Sequence, residues 1–234
     1  MMWRPWPLGP NMSETPQQTQ TARLGPTLVV AATWTGICAL QYLWHGLDQS
    51  GMLRMGANLG DLSLSGQWPR LLTAGWLHSG ALHLFASVTT LAWTRPLERQ
   101  VGGAGFTVIL AGSMLGGTLA QALLEPNSPA ATASAGALGV LVAATWLQRS
   151  AEKPRRGGRL AWMSIWGLQL LALAMPGAGT VAPLGGGLCG LGLALLWPFV
   201  RARAQSVRFV AWTYALLVAT AFEWLWSATR PWNF

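Results

Sequence analysis

The chain has 234 residues, 52% of them hydrophobic and only 9% charged, where an ordinary soluble domain carries about a quarter charged. Its net charge of +8 would suit nucleic acid, but the basic residues are almost all Arg in short segments between apolar runs, which is a topology pattern and not a nucleic-acid-binding face. Composition therefore argues against a soluble domain and for membrane spans of roughly 20 apolar residues each.

Residues 1–25 are rich in Pro, Gln, Thr and Trp, with no basic start followed by an apolar core. They read as a cytoplasmic tail and not as a cleaved leader. Seven candidate spans follow, at about 27–46, 78–94, 105–124, 131–148, 160–176, 180–200 and 207–226. The second is short and opens with histidines, while the sixth holds a glycine cluster that lowers helix propensity but permits close helix contact. Between the first two, Leu47–Leu77 mixes Leu, Met and Trp with Asp48, Arg54, Asp61 and Arg70, as expected of a loop resting in the membrane interface. Cys38 and Cys189 both fall in apolar segments and read as packing residues, too few for a metal site. No cofactor is expected.

The charges set an orientation. Arg95, Glu98 and Arg99 follow the second span; Arg149, Lys153, Arg155, Arg156 and Arg159 follow the fourth; Arg201, Arg203 and Arg208 follow the sixth. The connections at Glu125–Ala130 and Pro176–Thr180 carry no basic residue. The positive-inside rule then expects the N-terminus in the cytoplasm and the C-terminus outside, with the long first loop as a partial exception.

Four local patterns, in order, resemble the rhomboid family of intramembrane serine proteases. Gly66-Gln67-Trp68-Pro69-Arg70-Leu71-Leu72-Thr73 is similar to the family's Gly-Gln-Trp-Trp-Arg-Leu-Leu-Thr, and His78, His83 and Ser87 stand where the family has His-x4-His-x3-Asn. Leu97-Glu98-Arg99-Gln100-Val101-Gly102 resembles Leu-Glu-Arg-x-x-Gly. Ser134 with Gly139 keeps the interval of the nucleophile motif, though Thr132 and Ala135 replace its flanking glycines. Ala182-Pro183-Leu184-Gly185-Gly186-Gly187-Leu188-Cys189-Gly190 resembles Ala-His-Leu-Gly-Gly-x-x-x-Gly, with Pro183 in the histidine's place.

The resemblance implies a Ser hydroxyl activated by a His on the facing span, since a hydroxyl is a poor nucleophile without a base in reach. The chain's three histidines are His45, His78 and His83, and none follows residue 83. Lys153 lies 19 residues beyond Ser134, about 28 Å along a helix, and is expected at the opposite membrane face. Ser87 in place of Asn removes an amide from the oxyanion region, and Ala135 replaces a permissive glycine. The sequence thus reads as a pseudoprotease. A rewired Ser134–His83 pair is the catalytic alternative.

The bland readings are structural. His78 and His83 would be hydrogen-bonded residues at a helix start, and their five-residue spacing would put them on different helix faces, against a metal site. Ser134 would bond a carbonyl in a helix contact. Gly136, Gly139, Gly185, Gly186 and Gly190 would let the fourth and sixth spans pack closely. Pro183 is tolerable in a first helical turn. Glu223 falls about 22 Å along its helix from Arg208, near the outer interface, where snorkelling or a basic partner suits it better than a proton path.

The expectation is an all-α membrane protein: a tail over 1–25, a six-helix rhomboid-like bundle over 26–204, and a seventh transmembrane helix with a short outer tail over 205–234. Membrane lipids and the transmembrane helices of other proteins are the expected partners, with a binding or assembly role. An active intramembrane endopeptidase and a subunit of a larger membrane complex are the alternatives. The Arg-rich loops and compact length suggest a bacterial inner membrane.

Overall fold

Apolar runs of this length place their backbone hydrogen bonds within helices, because hydrocarbon offers no other partner. The computed structural model describes residues 25–44, 46, 48–149, 156–174 and 179–229. The tail up to residue 24, together with His45, Lys153 and Arg155, lies outside the described residues. Among the described residues ten α-helices run in order: α1 (Pro26–Trp44), α2 (Gln49–Arg54), α3 (Gly60–Leu64), α4 (Arg70–Thr73), α5 (Ala81–Trp93), α6 (Arg95–Leu124), α7 (Ala133–Arg149), α8 (Arg156–Leu173), α9 (Val181–Val200) and α10 (Ala204–Thr229). Among the described residues the only β pairing is an isolated antiparallel bridge between Asn58 and Ala130. The α1, α6 and α9 helices are long and apolar enough to cross a membrane unaided, and α5, α7 and α8 contain shorter apolar segments.

The centre of the bundle is α6, α7 and α9, packed through glycine contacts. A Cβ on Gly186 would lie 2.7 Å from Ala135 Cα, and one on Gly190 would lie 2.7 Å from Gly139 Cα, so α7 and α9 meet backbone to backbone. The other two glycines expected at that contact serve a different one. Gly136 faces Met114 and Leu110 of α6, and Gly185 faces Ala120 and Gly117 of the same helix. The three helices share one close-packed seam, so neighbouring glycines on a helix turn to different partners. Cys189 packs its sulfur on Gly116, and Cys38 is buried on α1; both are free thiols.

Around this centre, α5 packs on α1, α7 and α8, while α10 packs on α6 and α4. Buried Gln169 of α8 donates to Ala86 O (3.1 Å) and Thr90 Oγ1 (2.5 Å) of α5, a polar tether inside an apolar contact. Helix α6 is broken at Gly102, whose φ of +76° only glycine adopts readily. Just before the break, Glu98 accepts the Thr27 N–H (3.0 Å) and the Thr27 hydroxyl, capping the start of α1. The Leu-Glu-Arg-x-x-Gly pattern is therefore a joint: Leu97 is fully buried, Glu98 holds α1, and Gly102 turns the chain into the next span.

The segment before α5 is a folded unit carrying α2, α3 and α4. Asp48 caps α2, accepting from Ser50 Oγ and the Gly51 N–H, and these two bonds hold its carboxyl below its ordinary range. Arg70 donates to Leu53 O (2.7 Å), Ala57 O (3.0 Å) and Gln67 Oε1 (2.6 Å), and Thr73 donates to Gly56 O (2.8 Å). The Gln, Arg and Thr of the Gly66–Thr73 motif are thus the fasteners of this unit.

Candidate functional site

Three short stretches of chain converge at one end of the bundle. The first is Leu77–Gly80, the connection into α5. At 13 residues, α5 is about 20 Å long, about 10 Å short of a hydrocarbon core. The second is the start of α7, fixed by the Thr132 N–H on Ala74 O (2.8 Å) and by a 2.6 Å hydroxyl contact between Thr118 and Thr132. The third is the first turn of α9, beginning after Thr180.

Ser134 is the second residue of α7 and fully buried, yet its Oγ has no hydrogen-bond partner. The expected serine-to-carbonyl bond is not made.

His83 and Ser87 lie one turn apart on α5, both fully buried. His83 Nδ1 contacts the Ser79 N–H at 3.3 Å and the Ser79 hydroxyl at 3.0 Å; its Nε2 is unpartnered, as is Ser87 Oγ. His78 is equally buried with neither nitrogen bonded. Its ring lies 5.1 Å from that of His83 and 5.2 Å from Trp34, edge to face in both cases. The expectation that the two histidines point apart is thereby corrected. His78 precedes α5, so helical periodicity does not govern it, and the turn at Ser79–Gly80 folds its ring back.

Pro183, on the third residue of α9, is buried one turn before Gly186. Gly186 abuts the backbone of Ala135, next to Ser134, so Pro183 stands one helical turn from the contact that flanks the serine. A proline costs no helical bond there, since first-turn amides have no acceptor within the helix. It also brings no titratable group.

Two residues of this region escaped the sequence reading. Trp34 and Gln41 of α1 are fully buried, and the indole N–H and both amide atoms lack partners. Trp34 contacts His78 directly, and Gln41 follows seven residues later on the same helix face. Gln41 carried a usable signal: an amide inside an apolar span is a functional flag by default. Each unpartnered buried polar group costs about 1–3 kcal/mol unless something else satisfies it, so these groups keep hydrogen-bonding capacity for water or for the polar part of a ligand.

The Rhomboid domain family model matches residues 65–202, more than half of the chain. The protein belongs to the rhomboid family. It is also similar to the "Putative rhomboid protease YdcA" of Bacillus subtilis (strain 168), at 36% identity over 84 residues. That match spans 36% of this chain and 41% of the relative. This rhomboid-family chain is an integral membrane protein.

Proposed function

We propose that this rhomboid-family protein binds and stabilises transmembrane helices of partner proteins without cleaving them. The observation that carries the reading is Pro183: it occupies the position where the family resemblance expects the general base, and no histidine follows residue 83. The α6–α7–α9 seam that positions the site does not depend on an imidazole, so a binding scaffold survives the loss of the base. In this reading α1 and α5–α10 form seven spans in a bacterial inner membrane. The arginine-rich end faces the cytoplasm with the N-terminus, the C-terminus faces outward, and Glu223 sits near the outer interface.

A second reading, an active endopeptidase using Ser134 with His83, draws on their burial and on the unpartnered Oγ and Nε2. The Ser79 contact argues against it. A backbone N–H only donates, so Nδ1 accepts, and the proton of a neutral His83 then sits on Nε2. An Nε2–H facing the site donates a hydrogen bond and does not take a proton from serine.

Fluorophosphonate labelling of purified wild type, Ser134→Ala and His83→Ala, beside an active rhomboid control, tests both. Labelling of wild type that disappears in both variants would overturn the scaffold reading; an unlabelled wild type beside a labelled control is the expected result. In-membrane cross-linking then asks for a reproducible partner, and none would also sink the proposal. Tight co-purification at fixed stoichiometry would identify the partner as a larger complex.

A further inference from the structure

α1 and α10 stand apart, each packed on α6, and leave between them an apolar groove of about 690 Å³ that runs from Arg208 at the arginine-rich end to Trp76 and Phe222. Its floor is narrow because α6 contributes Gly103, Ala104 and Ala111, and α10 contributes Ala211 and Ala215 beneath the rim residue Trp212. Along α10 the lining runs from Arg208 to Phe222, 14 residues on, or about 21 Å, somewhat more than one leaflet of a hydrocarbon core. A second cavity of about 380 Å³, containing Gln100, Arg201 and Arg208, adjoins it. Gly103, Ala104 and Arg208 line both, so an apolar slot opens directly into a cationic pocket.

We infer that this composite groove is a binding site for an anionic glycerophospholipid, with an acyl chain between α1 and α10 and the phosphate against Arg201 and Arg208. An apolar groove about 21 Å long that opens at its arginine end into a cationic pocket suits an acyl chain whose phosphate reaches that pocket. Charge decides the headgroup: the described charged residues lining the two cavities are Arg201 and Arg208, both exposed, with no acidic residue among the lining. Arginine near a membrane surface favours anionic lipid by about fivefold per residue. The site lies outside the Ser134 region and does not depend on whether that serine reacts.

Native mass spectrometry of the detergent-solubilised protein, titrated with phosphatidylglycerol or phosphatidylcholine of matched chains, tests this. Wild type is expected to retain phosphatidylglycerol at least about fivefold more tightly, and Arg208→Gln to remove about that factor. Ala215→Trp, which fills the slot from α10, is expected to weaken both lipids together. Equal retention of the two lipids by wild type would overturn the proposal. So would binding that neither substitution changes, or a stable second copy of the chain that protects Trp212 in place of lipid.

Discussion

The Ser79 N–H meets His83 Nδ1 at 3.3 Å, with the Ser79 hydroxyl 3.0 Å from the same nitrogen. A backbone N–H only donates, so Nδ1 is the acceptor in that contact. We expect the neutral ring to carry its proton on Nε2, which selective ¹⁵N-histidine NMR reads from the two nitrogen shifts. The opposite tautomer would present a lone pair toward the site and return the Ser134–His83 protease reading. Ser79→Ala retains the backbone donor and is expected to keep the Nε2–H form.

The packing seam gives a paired prediction. Gly186→Ala would drive a methyl into the Ala135 backbone, where neither helix can yield without opening the seam, and is expected to destabilise by about 3 kcal/mol or more. Gly187→Ala, one residue on, meets only Leu138 and Val142 side chains at 3.6–3.7 Å. It is expected to be neutral or to gain up to about 1 kcal/mol from helix propensity. Thermal unfolding in detergent separates them, and equal effects would contradict the backbone-contact account.

Much of this was legible beforehand, and the failures have physical causes. Apolar runs gave the long helices to within a few residues at most ends, since span length is imposed by the bilayer. The four-to-six-residue helices α2, α3 and α4 were hidden, being too short to show a periodicity. Glycines announced a tight seam, but nothing in a sequence says that Gly185 turns to α6 while Gly186 turns to α7. His78 was misjudged because helical spacing was applied to a residue outside the helix. Ser134 was given a carbonyl across a helix contact, and its buried hydroxyl has no hydrogen-bond partner.

Arg70 offers a test of the first-loop unit. Its guanidinium is the common donor for Leu53 O and Ala57 O, and the residue is buried. Arg70→Ala is expected to cost about 3 kcal/mol, because charge-assisted bonds are lost and buried carbonyls are left unpaired. Gln67→Ala, which removes only the Nε partner, is expected to cost about 1 kcal/mol. Limited proteolysis of the 46–77 segment should rise in the first variant and change little in the second.

The sharpest test of the lost-base reading runs in reverse. Pro183 can be exchanged for histidine without breaking a helical bond, because the first turn of α9 asks nothing of its amide. The new imidazole would stand one turn before the Gly186–Ala135 contact, which adjoins Ser134. Pro183→His is therefore expected to make Ser134 reactive toward fluorophosphonate, and Ser134→Ala in the same background should abolish that labelling. Adding Ser87→Asn returns an amide donor, and one such donor is worth roughly 100-fold to 1,000-fold in turnover, so the double variant should exceed the single by a factor in that range. If the double variant folds with an unchanged melting temperature yet stays unlabelled, the missing base is not what silences this site. The replacement of the flanking glycines by Thr132 and Ala135 would then be the place to look, since Thr132 locks its hydroxyl to Thr118 beside the nucleophile position.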